Sequence, residues 1–244
     1  MPIKNRFAEL YPAIVSWRHD FHRNPELQYE LPKTAGKVAE LLRAFGCDEV
    51  VEGVGKSGVV GVICGQENTS RRVIGLRADM DALPIDEKSG VAYKSEISGV
   101  MHACGHDGHT SMLLGAAKYL CETRNFDGKA AVIFQPAEEG PPEGEEGGAE
   151  LMLKEGIFEE RPDVVFGMHV TNSYHGAVAA KSGPAMASAE AFRINIKGTQ
   201  SHGSTPWASN DPVMAAFDIG TSLQTIISRR IDIRENPAVI SVGI

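Results

Sequence analysis

Residues 101–121, MHACGHDGHTSMLLGAAKYLC, join a polar segment to an apolar helical pattern, and the rest of the chain is organised around them. Apolar side chains recur at helical spacing through the second half: Met112, Leu113, Ala116, Ala117 and Leu120. This spacing predicts a helix over 110–121. The first half holds three histidines, one cysteine and one aspartate, and little that could fill a core. Cys104 and His106 are residue types that Zn²⁺ and its neighbours favour as ligands, but one such pair is also common without a metal.

The apolar segments on either side of this helix indicate the fold class. Segments 58–64 and 73–76 precede it and segments 130–134 and 164–166 follow it, each with the length and composition of a buried strand. An amphipathic segment at 149–155 separates the last two. Strands that alternate with helices predict an α/β fold, with a mostly parallel sheet covered by helices on both faces.

Two further helices are predicted before the first strand. Apolar residues three or four apart indicate a helix over 5–23, and Pro32 and Gly46 have the residue types that open and close a second one. His19 and His22 come at the end of the first helix. We interpret them as side chains that complement a helix C-terminus rather than as ligands.

Polar side chains follow three of the predicted strands directly. They are Asp79 and Asp81 after 73–76, Glu138 and Glu139 after 130–134, and His169 after 164–166. Ligands of open α/β sheets bind outside the carboxyl ends of the strands. We therefore expect these side chains to meet at one edge, where the Cys104 and His106 loop leads into the intervening helix. A metal site needs three or four such donors, and a two-metal site needs more.

The adjacent Glu138 and Glu139 allow two interpretations. Neighbouring residues of an extended segment point in opposite directions, so one carboxylate could bind metal while the other acts as a general base on water. The alternative is a solvated acidic loop, because the segment 140–148, GPPEGEEGG, is itself acidic.

The pattern changes after about residue 182. Segment 189–197 alternates apolar and polar residues, which predicts a half-exposed strand. Asp211 and Pro212 are typical of a helix start, and segment 238–242 predicts a further strand. We expect a first domain over 1–182 and part of a small α+β domain over 183–244.

The composition excludes some partners and compartments. The 244 residues include 24 basic and 32 acidic side chains, and the net charge of −8 argues against nucleic acid or an anionic membrane surface as the main partner. We expect no signal peptide and no membrane-spanning segment, since no apolar run approaches about 20 residues. The sparse cysteines indicate a reducing compartment, and we expect a cytoplasmic protein in which Cys47, Cys64 and Cys121 pack in the core.

Five motifs together resemble the M20 metallopeptidase family, in the amidohydrolase branch that includes hippurate hydrolases, N-acyl-amino-acid amidohydrolases and auxin-conjugate hydrolases. They are LRADMDALP (76–84), MHACGHDGHT (101–110), QPAEEG (135–140), GMH (167–169) and KGTQSHGSTPW (197–207). They occur in the family's order across nearly the whole chain. The resemblance implies a zinc-exopeptidase-like catalytic domain and part of a lid and dimerisation domain.

The resemblance also implies a role for each matching residue. The metal ligands of a binuclear centre would be Cys104, His106, Glu139 and His169. Glu138 falls on the position of the catalytic base, and Asp81 on that of an aspartate that orients the site. His202 matches a histidine that stabilises the oxyanion, which in the family can reach the site from the partner subunit of a homodimer. Asp79 receives no firm role, Asp107 stays open, and His102, His109 and His175 are interpreted as structural.

The implied reaction is hydrolysis of the amide bond of a small N-acyl amino acid. Two divalent ions, zinc or manganese with cobalt and nickel as alternatives, would activate water, and Glu138 would carry its proton to the leaving amine. Family members continue for well over a hundred residues beyond Ile244 and supply a late histidine ligand. The alternative is therefore a truncated, inactive fragment that binds at most a metal or a partner. A deaminase-like zinc site is disfavoured because its paired cysteines are missing.

Overall fold

The computed structural model describes residues 3–156, 161–172 and 176–243. The chain folds as two compact units, residues 1–172 and residues 173–244. The predicted boundary between a catalytic domain and a lid domain, after residue 182, stays a prediction. His175 lies outside the described residues, and so does its predicted structural role.

Five strands form the sheet of the first unit: β1 (Glu49–Val54), β2 (Gly58–Cys64), β3 (Val73–Asp79), β4 (Lys129–Gln135) and β5 (Val164–Gly167). Their order is β1-β2-β4-β3-β5. β4, β3 and β5 are mutually parallel, whereas β1 pairs with β2 and β2 with β4 in antiparallel fashion. The predicted α/β class is confirmed, and the four predicted strands form.

The antiparallel half of the sheet is not indicated by the sequence pattern. β1 (EVVEGV) lies at the edge and is mostly exposed, so it carries glutamates where a buried strand would be apolar. Its register shifts between Glu52 and Val54, which breaks the simple alternation further. The parallel half, β4-β3-β5, is the part whose strands end at one common edge.

Helices cover both faces of the sheet, as predicted. α1 (Ile3–Arg23), α2 (Pro32–Phe45) and α3 (His106–Thr123) share one core with β2, β3 and β4. Val59 and Phe134 face this core, whereas Val60 and Ile133 point to the opposite face and contact Met152 of α4 (Gly148–Lys154). The two faces receive different residues because successive side chains of a strand point to opposite sides of the sheet.

Helix α3 begins four residues earlier than its apolar pattern indicates. Its first turn, from His106 to His109, is polar because it faces the edge of the sheet rather than the core. Gly105 precedes it with φ 93°, a backbone conformation that other residues adopt only with strain. A Cβ at Gly105 would lie 2.4 Å from Val170 Cγ2, so glycine also allows the segment after β5 to approach the start of α3.

The second unit contains a 3₁₀ turn at Pro206–Ala208 and helix α5 (Pro212–Arg230). The Asp211 side chain accepts hydrogen bonds from the backbone N–H groups of Val213 and Met214, which confirms the predicted helix start. The strands predicted over 189–197 and 238–242 are wrong: both segments are irregular. Alternation marks which side chains share a face, but a strand also needs a hydrogen-bonded neighbour, and neither segment has one among the described residues.

None of the helices in the described ranges is both long enough and apolar enough to cross a membrane.

The substitution Leu114→Ala tests the packing of α3 against the sheet. Leu114 is fully buried in the main core, so its removal should lower the free energy of unfolding by about 2–5 kcal/mol in a urea titration. Leu153→Ala is the matched control, because Leu153 on α4 is 71% exposed and its loss should cost less than about 0.5 kcal/mol. Equal effects of the two substitutions would contradict the packing described above.

Candidate metal centre

Five potential metal donors lie together at one edge of the sheet. We call them the donor cluster: Cys104, His106, Glu138, Glu139 and His169. Glu138 and Glu139 follow β4, His169 follows β5, and Cys104 and His106 flank Gly105, which precedes α3. The structure brings all five together, in groups whose donor atoms lie within 4.8 Å of one another.

His106 is the member that all these groups share. Its ring is fully buried, and Nε2 lies 3.6 Å from Glu138 Oε2 and 3.7 Å from Glu139 Oε1. On the other side of the cluster, Cys104 Sγ lies 3.2 Å from His169 Nε2. The donor set thus combines sulfur, nitrogen and oxygen around one imidazole.

The hydrogen bonding of His106 leaves Nε2 as the ring nitrogen that can bind a metal. Nδ1 lies 2.8 Å from the backbone carbonyl oxygen of Asp81, an acceptor only, so in the neutral ring Nδ1 carries the proton and Nε2 presents a lone pair. Nε2 has no hydrogen-bond partner among the described residues. His169 is held the same way, because its Nδ1–H donates to the Val170 carbonyl oxygen at 2.5 Å and Nε2 faces Cys104.

Asp81 holds two members of the cluster at once. Its backbone carbonyl accepts from His106, while its carboxylate Oδ2 accepts from the backbone N–H of Glu139 at 2.9 Å. Its other oxygen, Oδ1, is buried without a hydrogen-bond partner in the described part of the chain. This geometry suits a residue that orients the cluster, as the sequence motif implies.

Asp79 has close protein partners, although its carboxylate, His106 and His109 also form a group whose donor atoms lie within 4.8 Å of one another. It is buried, and its carboxylate accepts from His109 Nδ1–H at 2.6 Å and from Arg77 at 2.7 Å. Burial would raise the pKa of Asp79, but the His109 hydrogen bond and the charges of His106 and Arg77 outweigh it and lower the pKa to about 2. His109 Nε2 in turn accepts from the Val170 backbone N–H at 2.9 Å. His109 therefore connects β3 to the segment after β5, in keeping with a structural role.

The electrostatics of the cluster fit a bound cation. Burial, followed by the carboxylate of Glu139, raises the pKa of the Cys104 thiol to about 12. A nearby divalent cation would favour the thiolate instead, because metal binding displaces the proton. His106 Nε2 and Glu139 Oε1 are buried and lack hydrogen-bond partners among the described residues, which is costly without a ligand. The residues present therefore fit a divalent metal ion.

A second polar cluster, which sequence reasoning missed, lies at the end of α1. His22 is buried, with Nδ1 2.9 Å from Asp107 Oδ2 and Nε2 3.2 Å from Glu87 Oε1. The hydrogen bond with Asp107 raises the pKa of His22 against the effect of burial. His22 does lie in the last turn of α1, but its partners are carboxylates rather than helix carbonyls. Asp107, whose role the sequence leaves open, serves here as an ion-pair partner.

Two further predicted residues are not members of the donor cluster. The sequence interpretation of His102 is structural, yet neither of its ring nitrogens has a hydrogen-bond partner in the described ranges. His202 belongs to the second unit, where Nδ1 lies 2.8 Å from Ser204 Oγ. The part that His202 plays in a reaction stays a prediction.

Comparisons with known proteins identify the family. Residues 75–233 match the model of peptidase family M20/M25/M40. The hippurate hydrolase of Campylobacter jejuni is 47% identical over 230 residues, covering 93% of this chain and 57% of that protein. The N-acyl-L-amino acid amidohydrolase of Geobacillus stearothermophilus is 40% identical over 242 residues, covering 98% of this chain and 63% of that protein. Thermostable carboxypeptidase 2 of Saccharolobus solfataricus is 44% identical, covering 98% of this chain and 60% of that protein. The chain therefore spans about three fifths of the length of these relatives.

Two solved structures are similar to this chain. The YXEP protein of Bacillus subtilis, described as a dinuclear metal binding peptidase of the M20 family, has a TM-score of 0.61 and 35% identity, covering 67% of this chain and 44% of its own. A protein of methicillin-resistant Staphylococcus aureus described as an aminohydrolase has a TM-score of 0.70 and 32% identity, covering 93% of this chain and 59% of its own.

Removal of a cluster donor should weaken metal binding. Cys104→Ala and His106→Ala should each lower the affinity for Zn²⁺ or Mn²⁺ at least about tenfold, since even supporting residues have effects of that size. Isothermal titration of the metal-stripped protein measures the change. Cys64→Ala is the control, because Cys64 is a half-buried thiol at the end of β2, outside the cluster, and its loss should leave affinity unchanged. Unaltered binding in the Cys104 and His106 variants would contradict the site.

The His22 cluster should make stability depend on pH. A raised pKa in the folded state means that protonated His22 stabilises the fold below about pH 6.5 and that this contribution is lost as pH rises through the folded pKa. In urea titrations from pH 6 to 9, His22→Gln should lack this fall in the free energy of unfolding. His19→Gln should retain it, because His19 stacks on Tyr93 and has no carboxylate within ion-pair distance among the described residues. The same fall in the His22 variant would contradict this assignment.

Proposed function

This chain belongs to peptidase family M20/M25/M40, and on that premise we propose that it hydrolyses the amide bond of N-acyl amino acids. One observation carries the proposal: the buried Nε2 of His106, which has no hydrogen-bond partner among the described residues, faces Glu138 and Glu139 after β4. Relatives named hippurate hydrolase and N-acyl-L-amino acid amidohydrolase support the substrate class.

Four residues would hold the metal ions: Cys104, His106, Glu139 and His169. When bound, two divalent ions would lower the pKa of water and polarise the carbonyl of the substrate amide. The mixed sulfur, nitrogen and oxygen donors suit zinc or manganese, and cobalt and nickel also fit such a set. The likeness to a dinuclear metal binding peptidase supports a pair of ions rather than one.

The two glutamates would divide the work between them. Glu139 is the more buried of the two, its backbone N–H is held by Asp81, and one of its oxygens has no partner among the described residues, which suits a ligand. The Glu138 side chain is 39% exposed, so a water molecule and a substrate can reach it. Glu138 would take a proton from water as the water oxygen bonds to the carbonyl carbon. It would then deliver that proton to the nitrogen as the C–N bond breaks.

The remaining assignments rest on the sequence motifs. Asp81 would keep His106 and Glu139 in place through the hydrogen bonds described above. His202, within KGTQSHGSTPW, would stabilise the oxyanion, reaching the site within a homodimer if the second unit is a dimerisation domain. We propose a cytoplasmic enzyme, in line with the sparse cysteines.

A second candidate is hydrolysis of the last peptide bond of a peptide. The relatives named thermostable carboxypeptidase, at 44% and 42% identity, favour it. Both substrates place an amide next to a free amino acid carboxylate, so the same donors would serve. Turnover of N-benzoylglycine and N-acetylmethionine compared with that of an unblocked dipeptide separates the two.

Glu138→Gln should abolish hydrolysis without removing the metal. The glutamine amide cannot accept the proton from water, so kcat for N-benzoylglycine should fall by about 10²–10⁴-fold. The metal content, measured by inductively coupled plasma mass spectrometry, should stay the same. Glu143→Gln is the matched control, because Glu143 is an exposed residue of the same acidic loop and should leave kcat unchanged.

Three outcomes would go against the proposal. Loss of metal in Glu138→Gln would mean that Glu138 and Glu139 have each other's roles. Unchanged turnover in that variant would favour the solvated-loop interpretation of the pair. A metal-loaded wild-type protein that turns over none of the substrates would favour a metal-binding module without activity.

A further inference from the structure

A cavity of about 530 Å³ lies beside the donor cluster, entirely within the first unit. Cys104 and His169 line one part of it, and Arg18, Glu87, Tyr93 and His102 line the rest. Its volume is within the range of small-molecule sites, about 300–1,000 Å³. A group bound there would therefore lie next to two of the proposed metal ligands.

His102 is the feature of this cavity that indicates a ligand. It lines the cavity, its residue is only 4% exposed, and neither ring nitrogen has a hydrogen-bond partner among the described residues. A neutral imidazole offers one N–H and one lone pair, and burying both without partners is costly. A ligand with a hydrogen-bonding group at this point would satisfy them.

The charges on the cavity wall cancel in pairs. Arg18 Nε lies 3.1 Å from Asp107 Oδ2, and His22 lies between Asp107 and Glu87. Each positive group of the described wall therefore already has a carboxylate partner, which favours a neutral ligand group over a carboxylate. The rest of the wall is uncharged but mixed. The Tyr93 ring meets the His22 ring edge-on at 5.4 Å, Val91 and Val170 add apolar surface, and Ser89, Thr171 and Asn172 add neutral polar groups. A neutral, partly apolar group fits this wall better than an ion.

The two halves of an N-acyl amino acid differ in this respect, because the amino acid half carries a free carboxylate and the acyl half is neutral. We propose that the cavity binds the acyl half and that His102 hydrogen-bonds to a polar group on it. This inference rests on the proposed function and extends it by naming the half of the substrate that this cavity receives. His102 would then be a binding residue rather than a structural one.

Nuclear magnetic resonance of the histidine rings tests the proposal without requiring turnover. The metal-loaded protein with ¹⁵N-labelled histidine is titrated with 4-hydroxybenzamide, a neutral mimic of an acyl group, and separately with glycine. The His102 signals, identified by their loss in His102→Gln, should shift in a saturable manner with the amide and stay unchanged with glycine. Unmoved His102 signals, or an equal shift with glycine, would overturn the proposal.

Variants at His102 provide a second readout. His102→Phe removes both hydrogen-bonding atoms and should weaken 4-hydroxybenzamide binding at least tenfold, whereas His102→Gln keeps a donor and an acceptor and should restore part of the affinity. Unchanged affinity in His102→Phe would contradict the assignment. Turnover of N-benzoylglycine without the His102 shift would overturn the cavity assignment alone. The shift without turnover would support the cavity and count against hydrolysis.

Discussion

One hydrogen bond, from His106 Nδ1–H to the backbone carbonyl of Asp81, sets the geometry on which the site depends. It joins the first residue of α3 to the segment that leaves β3. Because the ring is fully buried, fixing one nitrogen also fixes the direction of the other, and Nε2 is aimed at Glu138 and Glu139. The Asp81 carboxylate holds the backbone of Glu139 as well, so the ends of β3 and β4 and the start of α3 converge on one aspartate.

The acidic groups around His106 are of two kinds, those with protein partners and those without them in the described part of the chain. Asp79 is buried but satisfied, because His109 and Arg77 keep it ionised and hydrogen-bonded. Glu139 and Cys104 are different: one Glu139 oxygen lacks a partner among the described residues, and the Cys104 thiol has a pKa raised to about 12. The structure thus separates acidic groups with permanent partners from groups whose charge calls for a cation. That separation is the argument for proposing a metal site here rather than an ion-pair network.

The sequence predicted the parts of this arrangement that follow from strand order. Residues placed directly after parallel strands, such as Glu139 and His169, had to reach the same edge, and they did. β1 was missed because an exposed edge strand carries glutamates and lacks the pattern of a buried strand. The partners of His22 lie 65 and 85 residues away in the chain, and no local pattern connects them. Segment 189–197 shows the converse, since its alternation is clear but no described strand pairs with it.

Anomalous diffraction from crystals grown with Zn²⁺ or Mn²⁺ tests most directly whether Asp81 fixes the tautomer of His106 so that Nε2 binds metal. Two anomalous peaks should lie among the donor atoms of the cluster, with the Nδ1 hydrogen bond to Asp81 intact. If the ion is zinc, one of the peaks should lie about 2.0–2.1 Å from His106 Nε2. Peaks only at surface residues, or a His106 ring turned so that Nδ1 faces the metal, would contradict this account.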